Sequence, residues 1–433
     1  MSKRFAWLLG VVVLVSIGVL VACGSKYNAS SDGLVLVGSQ GSGLIETFSF
    51  NLGSGSAFAV SNPPSGTSSQ TCVLNGIPSS LVVDPKGTYA YAIINENPSC
   101  VGSKTGIAAF KINSNGTTSV PGSLVPDVNP VALSMDTAGK FLFVAEGTNS
   151  TPCVPSTPQG GVCVYAIGSG ATLTAVPATF TFPTTANAPN FVALAATPTV
   201  FPPVGINGVQ NSVCSAPGLT PPTSEYLYAV DAENYVVWEF QVDTTTGALG
   251  TPNSLVLSAV PSVATEAVPA GIAVDPCDRF VYVSDSLTNR VSAYTICSAV
   301  SPSCIAADGS LVPVTGSPFS LSGAASSPGA IAVDPYGNYV YVVGTLSNTI
   351  SPLKISPISG SLAPLSPATV ATGVGPKSIA IRGDDNWMFV TNFGSSSLGG
   401  SSVSQYAITP ASGALTVQPA IQTDNYPWGV AVK

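Results

Sequence analysis

Short apolar runs that alternate with polar residues recur along this chain, separated by clusters of Pro, Gly, Asn and Asp. The clearest copy is Pro269–Ile296, PAGIAVDPCDRFVYVSDSLTNRVSAYTI. Gly271–Val274 is an apolar run that ends in an Asp-Pro turn, Phe280–Ser284 alternates, and Val291–Ile296 alternates again after a polar loop. A period of two over such short windows, rich in β-branched and aromatic residues, predicts half-buried strands rather than helices. The same phrase returns from Pro78, Pro130, Pro328 and Pro376, and in diverged form from Pro189, resuming at EYLYAVDAENYVVWEFQV after an insertion over 197–224. Small groups of strands repeating at roughly 40–50 residues or more are the mark of a β-propeller.

The signal Pro-x-x-apolar-x-apolar-Asp predicts the innermost strand of each blade, ending at Asp84, Asp136, Ala195, Asp275, Asp334 and Arg382. The final heptapeptide, Pro427–Lys433, carries the same signal with nothing after it. Conversely, Leu34–Gly38 and Leu44–Phe50 read as a second and third strand that lack a first. Joining the ends predicts an all-β, seven-bladed β-propeller closed by the C-terminal strand pairing into the N-terminal blade, which removes free sheet edges. Residues 34–433 would form that single domain. Fourth strands are predicted at 247–250, 309–314, 360–365 and 413–418, each after a Gly-bearing turn.

The first 22 residues do not fit that pattern. Lys3 and Arg4 precede an apolar run from Phe5 to Ala22, and Leu20-Val21-Ala22-Cys23 resembles the lipobox of bacterial lipoproteins. Residues 1–22 are therefore expected to be a signal peptide, Cys23 the lipidated residue, and 23–33 a polar tether. The protein would sit outside the cytoplasm, tied to a membrane only by lipid. Charged residues are 8% of the chain and the net charge is −8, so no basic patch is available for nucleic acid.

Export changes the reading of the cysteines, because disulfides persist in that setting. Calling the face on which innermost strands begin the upper one, Cys72, Cys100, Cys153 and Cys163 fall on upper loops. Cys214, Cys277, Cys297 and Cys304 fall on lower ones. The expected bridges are Cys72–Cys100, Cys153–Cys163, Cys214–Cys277 and Cys297–Cys304. With no histidine and no CxxC pair, no metal and no cofactor is expected.

The repeat resembles the YVTN or lactonase-type seven-bladed propellers. Phe389-Val390-Thr391-Asn392 nearly matches the tetrapeptide that names them, with relatives in FVYVSD at 280–285, YVYVVG at 339–344 and YLYAVD at 226–231. The resemblance runs from about Leu34 onward and implies the fold. It also brings the label of 6-phosphogluconolactonase, an activity that needs a base and cations for a phosphate. Arg279, Arg290 and Arg382 are the arginines after residue 22, and Arg279 and Arg290 are expected on opposite faces.

Candidate chemistry gathers at the residue closing the second strand of each blade: Ser39, Glu146, Asp231, Asp285 and Asn392, with Gly344 in blade six. Glu96 and Glu233 fall just beyond. One reading is an acidic rim around the upper channel mouth that binds a cation or sugar hydroxyls, with Glu146, Asp231 and Asp285 as candidate catalytic groups. The other is that these side chains accept backbone N–H bonds and fix their own loops. Asp84, Asp275 and Asp334 are expected to tie lower turns, and the second-strand aromatics Tyr91, Phe143, Tyr228, Tyr282, Tyr341 and Phe389 to fill the space between blades. Tyr426 and Trp428, where the closing strand begins, are candidates for ligand contact, Trp428 alternatively for a wedge between blades.

The sparse basic and imidazole chemistry points to a monomeric, lipid-anchored binding platform for an envelope protein or glycan. Its contact surface would be the upper loops 94–105 and 147–161. The alternative is an extracytoplasmic lactone or ester hydrolase that works through carboxylates.

Overall fold

The structure is a computed structural model and describes residues 32–60, 76–97, 102, 104–119, 124–127, 129–147, 161–177, 189–198, 224–256, 268–297, 304, 308–321, 327–394 and 401–433. The expected signal peptide, Cys23 and most of the tether lie outside these residues. Among those described, no helix is long and apolar enough to cross a membrane.

Seven antiparallel sheets of four or five strands follow one another along the chain. Their innermost strands are Ile77–Val83, Pro130–Met135, Phe191–Ala196, Pro269–Val274, Pro328–Val333, Pro376–Ile381 and Pro427–Val432. Each touches the next, and the last touches the first, so the ring is closed. The closure is the expected one: Pro427–Val432 pairs with Asp32–Ser39, running from Val35 opposite Val432 to Ser39 opposite Pro427. Leu44–Asn51 and Ala57–Ala59 complete blade one.

The alternation in each strand becomes two buried faces, each packed against a different neighbouring blade. Leu34 and Leu36 pack with Leu81, Ala90 and Phe110 of blade two. Val35 and Val37, one residue out of step, pack with Phe389 and Trp387 of blade seven. The core is thus divided among the seams between sheets rather than gathered at the centre. All six second-strand aromatics are at most 1% exposed, as their expected packing role requires.

Lower turns follow the expected Asp chemistry. One carboxylate oxygen of Asp84 accepts the amides of Thr88 and Tyr89 at 2.6 and 2.7 Å, and Asp334 does the same for Asn338 and Tyr339, both at 2.6 Å. Asp275 accepts the Arg279 amide at 3.2 Å and also Arg279 Nε at 2.7 Å. Two expectations need correction. In blade four the Asp position is held by Thr197, not Ala195: its Oγ1 accepts the Tyr226 amide at 2.9 Å, doing with a hydroxyl what Asp does elsewhere. The fourth strand of that blade is Asn253–Val256, because residues 247–250 form the turn and a single bridge at Leu249 instead. Elsewhere Leu311–Pro313, Leu362–Pro364 and Ala414–Gln422 fall where fourth strands were expected.

Cys297 and Cys304 form the expected disulfide. Cys163 and Cys277 are each disulfide-bonded as well. Their expected partners Cys153 and Cys214, and the pair Cys72–Cys100, lie outside the described residues, as does the body of the insertion (199–223).

Candidate functional site at the upper mouth

The strand-closing residues do share one face. Glu146 pairs opposite Pro130, Asp231 opposite Phe191, Asp285 opposite Pro269 and Asn392 opposite Pro376, each where the innermost strand begins. What their side chains do differs. Asp231 is fully buried and takes the amides of Asn190, Glu233 and Asn234, the Asn234 side chain and Trp238 Nε1, all within 3.2 Å. Asp285 takes the amides of Val268, Leu287 and Thr288 and the Thr288 hydroxyl. Both carboxylates point into their own loops. Asn392 is buried and donates to Ser402 and Ser404 Oγ. Glu96 and Glu233 are exposed.

Glu146 belongs to a buried group in blade three that the sequence did not assemble. Its carboxylate, Cys163 Sγ and a carboxylate oxygen of Asp127 lie within 4.8 Å of one another. Tyr165 Oη donates to Asp127 Oδ2 at 2.9 Å, and burial first, then Asp127, raises the Tyr165 phenol well above its ordinary pKa. Because Cys163 is disulfide-bonded its sulfur is no thiolate. The trio then offers two carboxylates, short of the six to eight oxygens, roughly, that calcium gathers.

Among the described residues of this face, an exposed aromatic and cationic cluster lies at the seam of blades seven and one. Trp428 is 36% and Tyr426 37% exposed, so each keeps a face open to solvent. Phe393, directly after Asn392, stacks edge-on to Trp428 with centroids 5.4 Å apart and lies 4.9 Å from Tyr426. Lys377 Nζ stands 5.1 Å from the Trp428 ring centroid and 5.8 Å from that of Phe393. Lys377 and Trp428 hold the same repeat position, each just after the proline that opens an innermost strand.

Beside this cluster the segment 424–426 is tied to the first hairpin. Gln40 donates to Tyr426 O at 2.9 Å, and Gly41 to Asn425 O at 2.8 Å. Under it lies Glu46, whose carboxylate accepts the Asp424 amide at 3.1 Å and the Ser39 hydroxyl. Burial raises Glu46 to about 7, against the pull of those two hydrogen bonds. Sequence reasoning passed over Glu46. In the strand LIETFSF it is one polar residue among alternating ones, and what buries it comes from the far end of the chain. Phe393 and Lys377 were missed because the closing strand brings Trp428 and Tyr426 to them, although the aromatic beside the YVTN-like tetrapeptide was there to be read.

Comparison with known proteins fits this architecture. Residues 306–430 match the family model described as "Lactonase, 7-bladed beta-propeller". No curated protein matches the chain. Among solved structures, one from Bacteroides uniformis described as a candidate 6-phosphogluconolactonase is 19% identical, with TM-score 0.62, covering 93% of this chain and 100% of its own. A Lactobacillus plantarum protein is 15% identical, with TM-score 0.63 and coverage of 93% and 99%. The periplasmic gluconolactonase of Pseudomonas aeruginosa is 18% identical, with TM-score 0.61 and the same coverage. At these identities the likeness establishes the seven-bladed fold, and the resemblance to lactonase-type propellers read from the repeat holds.

Proposed function

We propose that this protein is an extracytoplasmic lactone hydrolase of the sugar-lactone class, held to a membrane through Cys23. The observation that carries the reading is the Lys377–Phe393–Tyr426–Trp428 cluster, an exposed aromatic and cationic surface that falls wholly inside the lactonase-matched residues 306–430. Aromatic faces suit the apolar faces of a sugar ring, and a lysine beside them suits the carboxylate that ring opening creates. Glu46, with a pKa near 7, is placed at the same seam as a group able to take a proton from water near neutral pH. Asp231 and Asp285 are left to loop structure, since they take five and four hydrogen bonds from their own loops and strands, whereas Glu46 meets two donors, Ser39 and Asp424.

A second reading, binding without turnover, is favoured by the absence of histidine and by those committed carboxylates. The test is a panel of aldono-lactones assayed with the full chain. The hydrolase reading expects turnover that Glu46→Gln lowers by about 10²-fold or more and that Trp428→Ala weakens mainly through KM. Saturable binding with no turnover would install the second reading. Neither binding nor turnover would overturn both.

A further inference from the structure

The lower face, opposite the Trp428 cluster, carries a cleft of about 600 Å³ between the turns of blades seven and two and the end of the closing strand. Three cationic residues line it: Lys86, Arg382 and Lys433. That is a marked concentration in a chain with 13 Lys plus Arg and a net charge of −8.

The side chains of the same wall bring two carboxylates, Asp84 and Asp384, against those three cations. Asp84 accepts the Thr88 and Tyr89 amides, and Asp384 is ion-paired with Arg382. The two ion pairs among the described residues, Arg279–Asp275 and Arg382–Asp384, include neither lysine. Lys433 is nevertheless held in place. Its main chain exchanges hydrogen bonds with Leu34 at 2.9 and 3.2 Å, and its oxygen also accepts Arg382 Nε at 3.2 Å. Its stem crosses the bare backbone of the turn that carries Lys86: a Cβ on Gly87, at φ +62°, would lie 2.5 Å from Lys433 Cε. Leu52, Val83 and Val432 supply apolar wall.

We propose that this cleft binds a small organic anion, a carboxylate or phosphate ester on an apolar body, between the ammonium groups of Lys86 and Lys433. An ammonium is a compact charge that accepts either anion, and with the guanidinium of Arg382 already paired the lysines supply the charge. A protein whose overall field repels anions needs such a local convergence of unpaired cations to hold one.

Phenyl phosphate and benzoate, titrated calorimetrically into the full chain with benzyl alcohol as the neutral control, test the proposal. Both anions should bind saturably and more weakly as salt rises, and benzyl alcohol should not bind. Lys86→Gln and Lys433→Gln should each weaken binding about tenfold. Both side chains are exposed, so these variants leave the fold intact. Trp428→Ala, which removes the upper cluster, should leave unchanged the component of anion binding that the Lys86→Gln/Lys433→Gln double variant loses, and so separates this site from the proposed lactone site. Failure of either anion to saturate, equal binding of benzyl alcohol, or unchanged affinity in the Lys86→Gln/Lys433→Gln double variant would overturn it.

Discussion

Tyr228 Oη donates to the main-chain oxygen of Gly309, 2.7 Å away in the next blade. The arrangement repeats: Tyr282 donates to Gly360 O and Tyr341 to Gly413 O, both at 3.1 Å. Each glycine sits at positive φ, between +68° and +78°, with an aromatic from the start of the neighbouring second strand against it. A Cβ on Gly309 would lie 2.1 Å from Tyr226 Cδ1. Gly309→Ala therefore combines a strained backbone with an overpacked seam and should cost at least about 3 kcal/mol. Tyr228→Phe should cost only about 1–2 kcal/mol, by leaving a buried carbonyl without its donor. Urea denaturation of the two variants checks the order.

Burial pushes several acids well above the ordinary carboxylate range. Asp385 is fully buried, both of its oxygens lack a hydrogen-bond partner, and burial raises it to about 8. Glu225 is likewise raised to about 8 and Glu239 to about 7, with burial again the largest cause. Between the unfolded value near 4 and these folded values the native state binds more protons than the unfolded one, so stability falls as pH rises. Its full contribution is present below about pH 4 and is lost through pH 7–8 for these groups. The melting temperature should thus be higher at pH 5 than at pH 8. Asp385→Asn should flatten that slope, and a melting temperature independent of pH would refute the account.

The Cys297–Cys304 bridge closes a short lower loop, with a sequence separation of 7. On chain-entropy grounds, Cys297→Ala/Cys304→Ala should lose about 2–3 kcal/mol. Denaturation with and without reductant measures this against the other bridges.

Removing Pro427–Lys433 strips the partner from Asp32–Ser39 and opens the ring. The truncated chain should fail to give a cooperative transition and should aggregate through its exposed edge, which light scattering would detect. A soluble, cooperatively melting truncation would refute the closure as the fold's lock.

If Glu46 is the base, kcat/KM on a lactone rises with pH and levels above about 7, its pKa in the fold. A profile flat from pH 5 to 9 would assign the base elsewhere.

The sequence by itself determined the blades. Strand alternation, the Pro-led innermost strand with its Asp turn, and the orphan strands at the two ends are local or periodic signals, and they carry blade number and closure without any contact being known. It misplaced two features of blade four: the fourth strand, and the Asp position, because a threonine that performs the carboxylate's task does not look like one. Only the tertiary structure decided which polar groups remain available. Asp231 and Asp285 read as rim residues in sequence, yet their oxygens turn back to their own amides. Glu46 and Lys433 acquire their surroundings from residues hundreds of positions away, across the seam where the chain's ends meet, and Lys377 meets Trp428 only through the same closure. Burial and charge pairing are properties of that meeting, and no window of sequence contains it.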